Sequence, residues 1–273
     1  MNLSPVITGG RAVFSFGEQI AGVCVLDDPF KPYICPLRTP EGYDTALSVP
    51  ADHRHHKGLM YALKCHDVNF WEEHEQESGV EEVLSARVDD GTLVIDLLWR
   101  HLDGSRQTYR EQRRISCLHD SERKAFVWTW ETRRGSLRCH RLVKSPASMK
   151  LSDGRRVNYH GLGIRLPWAW AFPSPSVCGI EMDGKSVTVE ESCGTHGPAI
   201  SFHGKFDGAW PHPEGALTIS QDMGYTWFVM KGPFPYLAAG PSNAEELDVP
   251  EGRIFTEIYH ITVEDRPPGK ELV

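Results

Sequence analysis

Apolar side chains recur at every second position in several stretches of the chain, the spacing of a β-strand with one buried face. Phe126, Trp128 and Trp130 alternate with Val127, Thr129 and Glu131, so the three aromatic rings share one face of a predicted strand. Segment 254–263 alternates in the same way. A mostly apolar run over 92–98 predicts a central strand covered on both sides.

Turn residues separate these segments and indicate how the strands connect. The dipeptide Asp-Gly, which suits tight hairpin turns, occurs at 90–91, 103–104, 153–154 and 183–184. Shorter strands are predicted at 13–16, 21–26, 60–65, 177–182, 186–190, 217–220 and 227–231. The best helix candidate, 243–247, is short enough to be only a turn. We therefore predict an all-β protein with one domain over 1–273, built as a large antiparallel β-sandwich.

Charge and apolar-run length limit the partners of the chain. The net charge is −8 and the sequence pI is near 5.9, whereas nucleic-acid binding calls for a basic stripe. No apolar run approaches the roughly 20 residues that a membrane helix needs. We expect a small-molecule partner, with no nucleic acid and no membrane.

The seven cysteines and the N-terminal residues bear on the compartment. The cysteines are odd in number and widely spaced, with no C-x-x-C pair, so we predict free thiols. The chain begins MNLSPVITGG, with neither a basic region nor an apolar core of a secretory signal. Together these features favour a cytoplasmic protein.

Segment 52–58, D-H-R-H-H-K-G, is the most distinctive candidate site. Three of the 13 histidines, His53, His55 and His56, fall within four positions, and imidazole can bind a metal or move a proton near neutral pH. In an extended segment His53 and His55 share a side, whereas in a helical turn His53 and His56 do. Asp52 can fix the tautomer of an imidazole. The alternative is a solvated polar loop, and no metal-binding spacing such as H-E-x-x-H is present.

Two further segments combine aromatic and polar residues. In 66–74, Asn69, Trp71 and Glu72 are the residue types of a sugar site, where a ring covers a sugar face and polar groups bind hydroxyls. The alternative is that the aromatics are core and the acidic stretch is solvated. In 158–165, glycines allow close backbone approach, and Arg165 can pair with an anionic or hydroxyl-rich group or form a structural salt bridge.

These segments resemble the family of methane oxygenase PmoA-like proteins. The matching motifs are R-T-P-x-G from Arg38, A-D-H-R-H-H-K-G, D-V-N-F-W, G-L-x-x-R, and W-F-V-x-x-x-P-F from Trp227. The resemblance implies a soluble bacterial protein of sugar catabolism with a supersandwich fold like that of galactose mutarotase. Asp52, His53 and His56 match the family motif, His55 sits where the family varies, and His160 stands where it more often has Gly.

Our first hypothesis is an enzyme that acts on a sugar or keto-sugar by histidine acid/base chemistry, as an epimerase, lyase or hydratase. His53 and His56 are its predicted catalytic residues and Asp52 orients them. The predicted substrate-binding residues are His55, Asn69, Trp71, Glu72, His160 and Arg165. The alternatives are a non-catalytic carbohydrate-binding protein and, as the family name implies, a metal-dependent oxygenase with a divalent metal at His53 and His56. The sequence leaves the metal requirement and the oligomeric state open.

Overall fold

The computed structural model of the chain describes residues 1–73, 77–171, 178–207 and 213–266. Residues 74 and 177, which belong to segments considered above, lie outside these ranges. The described residues form 22 strands. The first eleven are β1 (Asn2–Leu3), β2 (Val6–Thr8), β3 (Arg11–Phe16), β4 (Gln19–Val25), β5 (Tyr33–Leu37), β6 (Leu59–Ala62), β7 (Gly79–Asp89), β8 (Thr92–His101), β9 (Gln107–Asp120), β10 (Ala125–Ser136) and β11 (His140–Leu142). The others are β12 (Met149–Lys150), β13 (Arg156–Val157), β14 (Gly161–Arg165), β15 (Cys178–Met182), β16 (Lys185–Val187), β17 (Ala199–Lys205), β18 (Glu214–Gln221), β19 (Trp227–Met230), β20 (Tyr236–Ala239), β21 (Leu247–Val249) and β22 (Ile254–Arg266).

Two large antiparallel sheets contain most of these strands. The ten-stranded sheet has the order β16-β15-β17-β18-β22-β10-β9-β8-β7, with β1 also paired to β9. The eight-stranded sheet has the order β19-β20-β14-β6-β5-β4-β3-β2. The sheets pack face to face: the Phe14 ring lies 4.8 Å from Trp128, and the Tyr259 hydroxyl donates to the Ala239 carbonyl at 3.1 Å. The predicted all-β antiparallel sandwich is confirmed, and its two sheets have the size of a supersandwich.

The alternating pattern identified the faces of the central strands. Phe126, Trp128 and Trp130 on β10 are all buried, while Val127 and Thr129 between them are only partly covered. On β8, residues 93–95 and 97–99 are buried, as the continuous apolar run predicted. These strands occupy inner positions of the ten-stranded sheet, where apolar side chains are removed from water on one or both faces.

The four Asp-Gly dipeptides named above lie between paired strands. At 90–91 and 183–184 both residues have positive φ, which is the backbone of a type I′ hairpin turn. These turns join β7 to β8 and β15 to β16. The other two dipeptides, which have positive φ only at the glycine, connect β8 to β9 and β12 to β13.

Helix is scarce in the described residues. The candidate 243–247 forms bends and the start of β21. A four-residue helix, α1 (Val189–Ser192), replaces the end of the strand predicted at 186–190, and a 3-10 turn covers Trp168–Ala171. Thr188 caps α1, and its side chain and that of Glu191 each accept from the other's backbone N–H. This T-x-x-E capping box was the sequence signal for the helix.

Charged side chains are buried between the two sheets. Arg134 Nη2 donates to the Tyr61 hydroxyl at 3.0 Å and lies 3.3 Å from the Glu257 carboxylate, and Tyr61 in turn donates to Glu257 at 3.0 Å. Arg113 pairs in the same way with two carboxyls: its Nη2 lies 3.0 Å from Oε2 of Glu81, and its Nε lies 2.7 Å from Oε1 of Glu111. All five charged side chains of these two clusters are fully buried. Burial raises the pKa of Glu81 to about 8, so near neutral pH this carboxyl is largely protonated and two carboxylates balance the two guanidinium groups.

The predicted free thiols are confirmed, since none of the seven cysteines is in a disulfide. Burial raises the pKa of Cys24, Cys35 and Cys65 to about 12, which keeps these thiols protonated. Across the described ranges, the structure contains no helix long and apolar enough to span a membrane.

Candidate active site

The outer face of the eight-stranded sheet carries the candidate site. Tyr61 on β6 faces the ten-stranded sheet, because its hydroxyl donates to Glu257 there. Leu162 is the direct partner of Tyr61 and shares that inner face. The alternate positions of β14, Gly163 and Arg165, therefore point away from the core. Their cross-strand partners on the same outer face are Ala238, Phe228, Tyr236 and Met230.

The loop between β5 and β6 brings the predicted histidines to this face through two consecutive turns. The backbone N–H of His53 donates to Pro50 O at 3.1 Å, and that of His56 donates to His53 O at 2.9 Å. The second turn brings the rings of His53 and His56 together, with centroids 4.8 Å apart and planes at 18°. Of the two conformations considered for this segment, the structure therefore has a turn that puts His53 and His56 side by side.

Val49, just before the two turns of this loop, has an unusual backbone conformation. Its φ is 52°, in the left-handed region that a β-branched residue rarely adopts. Its N–H donates to the carbonyl of His56 at 2.7 Å, and this bond joins the residues before and after the histidine turn. Strain of this kind persists only where surrounding bonds enforce it, and it is frequent at functional sites.

Arg165, the last residue of β14, holds the histidine segment in place. Its guanidinium is fully buried between two rings, with Cζ 3.7 Å from the centroid of Phe234 and 4.5 Å from that of Trp168. Nη1 donates to Nδ1 of His56 at 3.1 Å, and Nη2 donates to Oδ2 of Asp52 at 3.1 Å. One guanidinium thus fixes both an imidazole and a carboxylate of the segment.

These bonds determine the tautomers of the two stacked rings. A guanidinium can only donate, so Nδ1 of His56 accepts and the proton of this neutral ring sits on Nε2. The carboxylate of Asp52 can only accept, and it lies 2.8 Å from Nδ1 of His53. His53 therefore donates from Nδ1 and, when neutral, keeps a lone pair on Nε2. The pair offers a ligand one hydrogen-bond donor and one proton acceptor.

The electrostatics of the site maintain this arrangement. Burial, together with the nearby charges of His55 and Arg165, lowers the pKa of His56 to about 2. For Asp52, burial acts to raise the pKa, but the hydrogen bonds from His53 and Arg165 outweigh it and lower the pKa to about 2. Near neutral pH, Asp52 is therefore ionised and His56 is uncharged.

The histidines line a cavity of about 200 Å³, smaller than the roughly 300–1,000 Å³ of sites for drug-sized ligands. Its wall is mostly aromatic and consists of His53, His55, His56, Trp71, Ala147, Tyr159, Phe228, Met230, Phe234 and Tyr236. Among the described residues, Trp71 Nε1 and Tyr236 Oη are buried without a hydrogen-bond partner. Both atoms are shielded from water, so they do not belong to the accessible surface of the cavity.

Asn69, one of the predicted substrate-binding residues, lies behind the cavity wall. Its Oδ1 accepts from the backbone N–H groups of Trp71 and Glu72 at 3.0 and 3.1 Å, and its Nδ2 donates to the Glu72 carboxylate. Glu72 also lies behind the wall, with Oε1 3.4 Å from the Tyr159 hydroxyl. Asn69 and Glu72 therefore hold Trp71 and Tyr159 in place, and neither lines the cavity.

His160 and Arg165 also lie behind the wall. His160 is fully buried, its ring is 5.4 Å from that of Trp71, and its Nδ1 accepts from Asn158 at 2.6 Å. Burial lowers the pKa of His160 to about 3, so this ring is neutral near neutral pH. Of the predicted substrate-binding residues, only His55 and Trp71 line the cavity.

Two buried lysines hold the Trp71 segment in place, and neither was predicted as a site residue. Lys31 Nζ donates to the Trp71 carbonyl at 2.8 Å and lies 3.3 Å from Glu73. Lys57 Nζ lies 2.9 Å from the same Glu73 carboxylate and 2.6 Å from Asp28. Lysines are almost never buried unless they are paired, and here both ammonium groups have acidic partners.

The apolar part of the wall was not predicted as part of the site. Phe228 and Met230 alternate with Trp227 and Val229 on β19, so this strand is apolar on both faces. β19 is the edge strand of the eight-stranded sheet, and only one of its faces packs on the core. The apolar side chains on its other face, Phe228 and Met230, line the cavity. This pattern at 227–230 was the available sequence signal.

The donor set at His53 and His56 does not fit a divalent metal. Metal-bound imidazoles direct their nitrogen lone pairs at one point about 2.0–2.1 Å away, whereas these two rings are nearly parallel and stacked. Nε2 of His56 carries a proton, and the cationic Arg165 lies beside the ring. In the part of the chain that the structure describes, no group of three or more His, Cys, Asp or Glu side chains is arranged to hold a metal ion.

The fold and the cavity together define a β-sandwich protein with a histidine-walled cavity on the outer face of its eight-stranded sheet. The chain belongs to the family of unknown function designated DUF6807, whose profile matches residues 6–273. A comparison with curated proteins found no match. Among solved structures, the GH36 α-galactosidase AgaA from Geobacillus stearothermophilus is similar over 84% of this chain and 29% of that enzyme, with 11% identity and a TM-score of 0.32. The chain thus spans less than a third of that enzyme. The resemblance to PmoA-like proteins remains a prediction.

Proposed function

We propose that this protein is an enzyme that moves a proton next to the carbonyl group of a small, uncharged sugar or keto-sugar. The observation that carries the proposal is the stacked pair His53 and His56, whose tautomers are opposite. A proton acceptor and a hydrogen-bond donor side by side are what enolisation of a carbonyl compound requires.

In the proposed step, Nε2 of His53 takes the proton from the carbon next to the carbonyl. The C–H electron pair becomes the C=C bond of an enediolate, and the carbonyl π pair moves to oxygen, which carries the negative charge. His56 stabilises that oxygen through its Nε2–H, as a neutral imidazole can do. Asp52 holds His53 in the required tautomer and stabilises the imidazolium that forms.

The composition of the cavity supports a sugar as the substrate. Aromatic rings such as Trp71 and Phe228 can cover the C–H face of a sugar, while His53, His55 and His56 can bind its oxygens. A volume of about 200 Å³ suits a single small sugar unit rather than a long oligosaccharide.

The electrostatics of the wall favour an uncharged substrate. Histidines are the only described residues in the wall that can carry a positive charge. The nearby cations Arg165, Lys31 and Lys57 are buried behind it and already bound to protein groups. A phosphate or carboxylate moved into this cavity would lose its hydration without gaining a strong partner.

The test is carbon-bound hydrogen exchange with a panel of neutral keto-sugars in D₂O, followed by nuclear magnetic resonance. We expect catalysed exchange next to the carbonyl, and we expect His53→Ala to slow it by roughly 10²–10⁴-fold. His260→Ala is the matched control, since His260 is an exposed histidine on β22 of the other sheet. This control variant should exchange at the rate of the unchanged protein.

The alternative functions predict different results. A non-catalytic carbohydrate-binding protein would bind members of the panel without any exchange, and His53→Ala would change only the affinity. A metal-dependent oxygenase would retain a metal through purification and consume oxygen. Binding without exchange across the whole panel would contradict the proposed function.

A further inference from the structure

The acid/base side chains of the cavity lie together on one side of it. His53, His55 and His56 come from a single turn, and their ring centroids are 4.7 to 5.7 Å apart. Phe234 and Tyr236 pack on the same cluster, with ring centroids 4.6 Å from His53 and 5.3 Å from His56. These five side chains form one continuous wall.

The rest of the wall offers no comparable group among the described residues. Ala147, Phe228 and Met230 have no proton to give or take. Tyr159 is the remaining polar candidate, but its hydroxyl donates to Ser145 Oγ at 2.6 Å. Burial also raises the pKa of Tyr159, which keeps the phenol protonated.

We infer that this protein takes and returns protons on only one face of its substrate. This inference rests on the proposed function and adds its stereochemical course. Inversion at a carbon requires that a proton leave from one face and return to the other, which calls for groups on both sides of the cavity. Because the acid/base groups of this cavity all lie in one wall, His53 returns the proton to the substrate face from which it came.

Two reaction types are compatible with one-face transfer, and both begin from the enediolate formed when His53 removes the proton. In the first, the hydroxyl proton of the enediolate passes to the adjacent former carbonyl oxygen. Protonated His53 then gives its proton to the former carbonyl carbon on the same face, and the C=O bond re-forms at the carbon that lost its hydrogen, as in an aldose–ketose isomerisation. In the second, the enolate expels a β-hydroxyl group, which takes the proton from His53 and leaves as water. The second type is a syn elimination, and its reverse is a syn hydration.

Dihydroxyacetone is a direct probe, because each of its hydroxymethyl carbons carries two enantiotopic hydrogens. The protein is incubated with it in D₂O, with neutral hexuloses run in parallel, and deuterium per carbon is counted by mass spectrometry after subtraction of uncatalysed exchange. We expect one deuterium per hydroxymethyl carbon. The second hydrogen should exchange at least about 10²-fold more slowly, the lower range of a general base's contribution.

The outcomes separate this inference from the proposed function. Exchange of both hydrogens at similar rates would overturn one-face transfer, yet the proposed proton-transfer function would stand. No exchange with dihydroxyacetone or any hexulose would overturn both. His53→Ala supplies a second check: residual exchange of the opposite hydrogen in this variant would reveal another base and contradict the inference, whereas loss of all catalysed exchange supports it.

Discussion

Arg134 and Arg165 are buried in similar surroundings, but the groups to which they bond lie in different parts of the molecule. Both guanidinium groups are fully buried and lie over aromatic rings. Arg134, between the sheets, bonds to Tyr61 and Glu257, which are themselves enclosed. Arg165, on the outer face, bonds to Asp52 and to a histidine that lines a cavity. A buried charge is thus not by itself a functional signal; what matters is whether its partners reach a ligand.

The largest effect is expected from breaking the enclosed pair. Arg134→Met leaves the Glu257 carboxylate buried without its cation, so the free energy of unfolding should fall by about 3–5 kcal/mol. Urea denaturation measures the change. The double variant Arg134→Met, Glu257→Leu removes both charges and should recover much of the loss. If the single variant were as stable as the unchanged protein, Arg134 would not be held by this pair.

A smaller effect is expected from Arg165→Lys, and on activity rather than folding. Lysine keeps the charge but cannot bond His56 and Asp52 at once, so one charged hydrogen bond is lost. Such a bond contributes about 1.5–3 kcal/mol, equivalent to roughly 10–150-fold in the hydrogen-exchange rate. Nitrogen NMR shifts of His56 should also show a weaker preference for the Nε2–H tautomer. Arg141→Lys, at a surface ion pair, is the control.

The next prediction concerns Gly163 on β14, which packs against the Tyr236 hydroxyl of the neighbouring strand β20. A Cβ at Gly163 would lie 2.0 Å from the Tyr236 hydroxyl, so Gly163→Ala must displace a side chain of the cavity wall. We expect a loss of about 1–3 kcal/mol in unfolding free energy together with weaker ligand binding. Gly135→Ala on β10 is the matched control, because nothing lies within 4 Å of its Cβ position. Equal effects of the two variants on binding would contradict this role for Gly163.

The last effect is absent at pH 7 and appears only on acidification, in the pH dependence of stability, and it belongs to the histidine side of the molecule. Burial holds the pKa of His160 at about 3 in the folded chain, against about 6.5 when unfolded. Below pH 6.5 the unfolded chain therefore binds more protons, and stability falls as pH drops toward 3. His160 steepens this fall by at most about 1.4 kcal/mol per pH unit. Urea midpoints between pH 7 and 4 should show a shallower slope for His160→Gln.

Local pattern was sufficient for the all-β class and for strands such as β8, β10 and β22, because strand spacing and turn chemistry are properties of neighbouring residues. The long strands β7 and β9 were not predicted. The alternation at Phe126, Trp128 and Trp130 and the turn at Asp90 are of this kind. The helix after Thr188 is also local, and only its brevity hid it within a predicted strand. Strand order, by contrast, depends on long-range pairing such as that of β14 with β6 and β20, for which the chain carries no local signal.

The site was predictable in part, for a related reason. Crowded histidines at 53–56 are visible in the sequence, and so is the aromatic at Trp71. Which of the polar residues face the cavity depends on the direction of each side chain in the fold. Arg165 and His160 have the right chemistry but end behind the wall, while Phe228 looked like ordinary core and lines the cavity.

The alternation along β14 has a consequence for how this protein can be altered by directed evolution. Leu162 and Ile164 belong to the sandwich core, whereas Gly163 and Arg165 between them belong to the site. Substitution at Arg165 can therefore change the site while Leu162 and Ile164 continue to hold the sheets together, whereas Gly163 has no room for a side chain. Insertion or deletion of a single residue exchanges the two sets, and fold and site are then lost in one step.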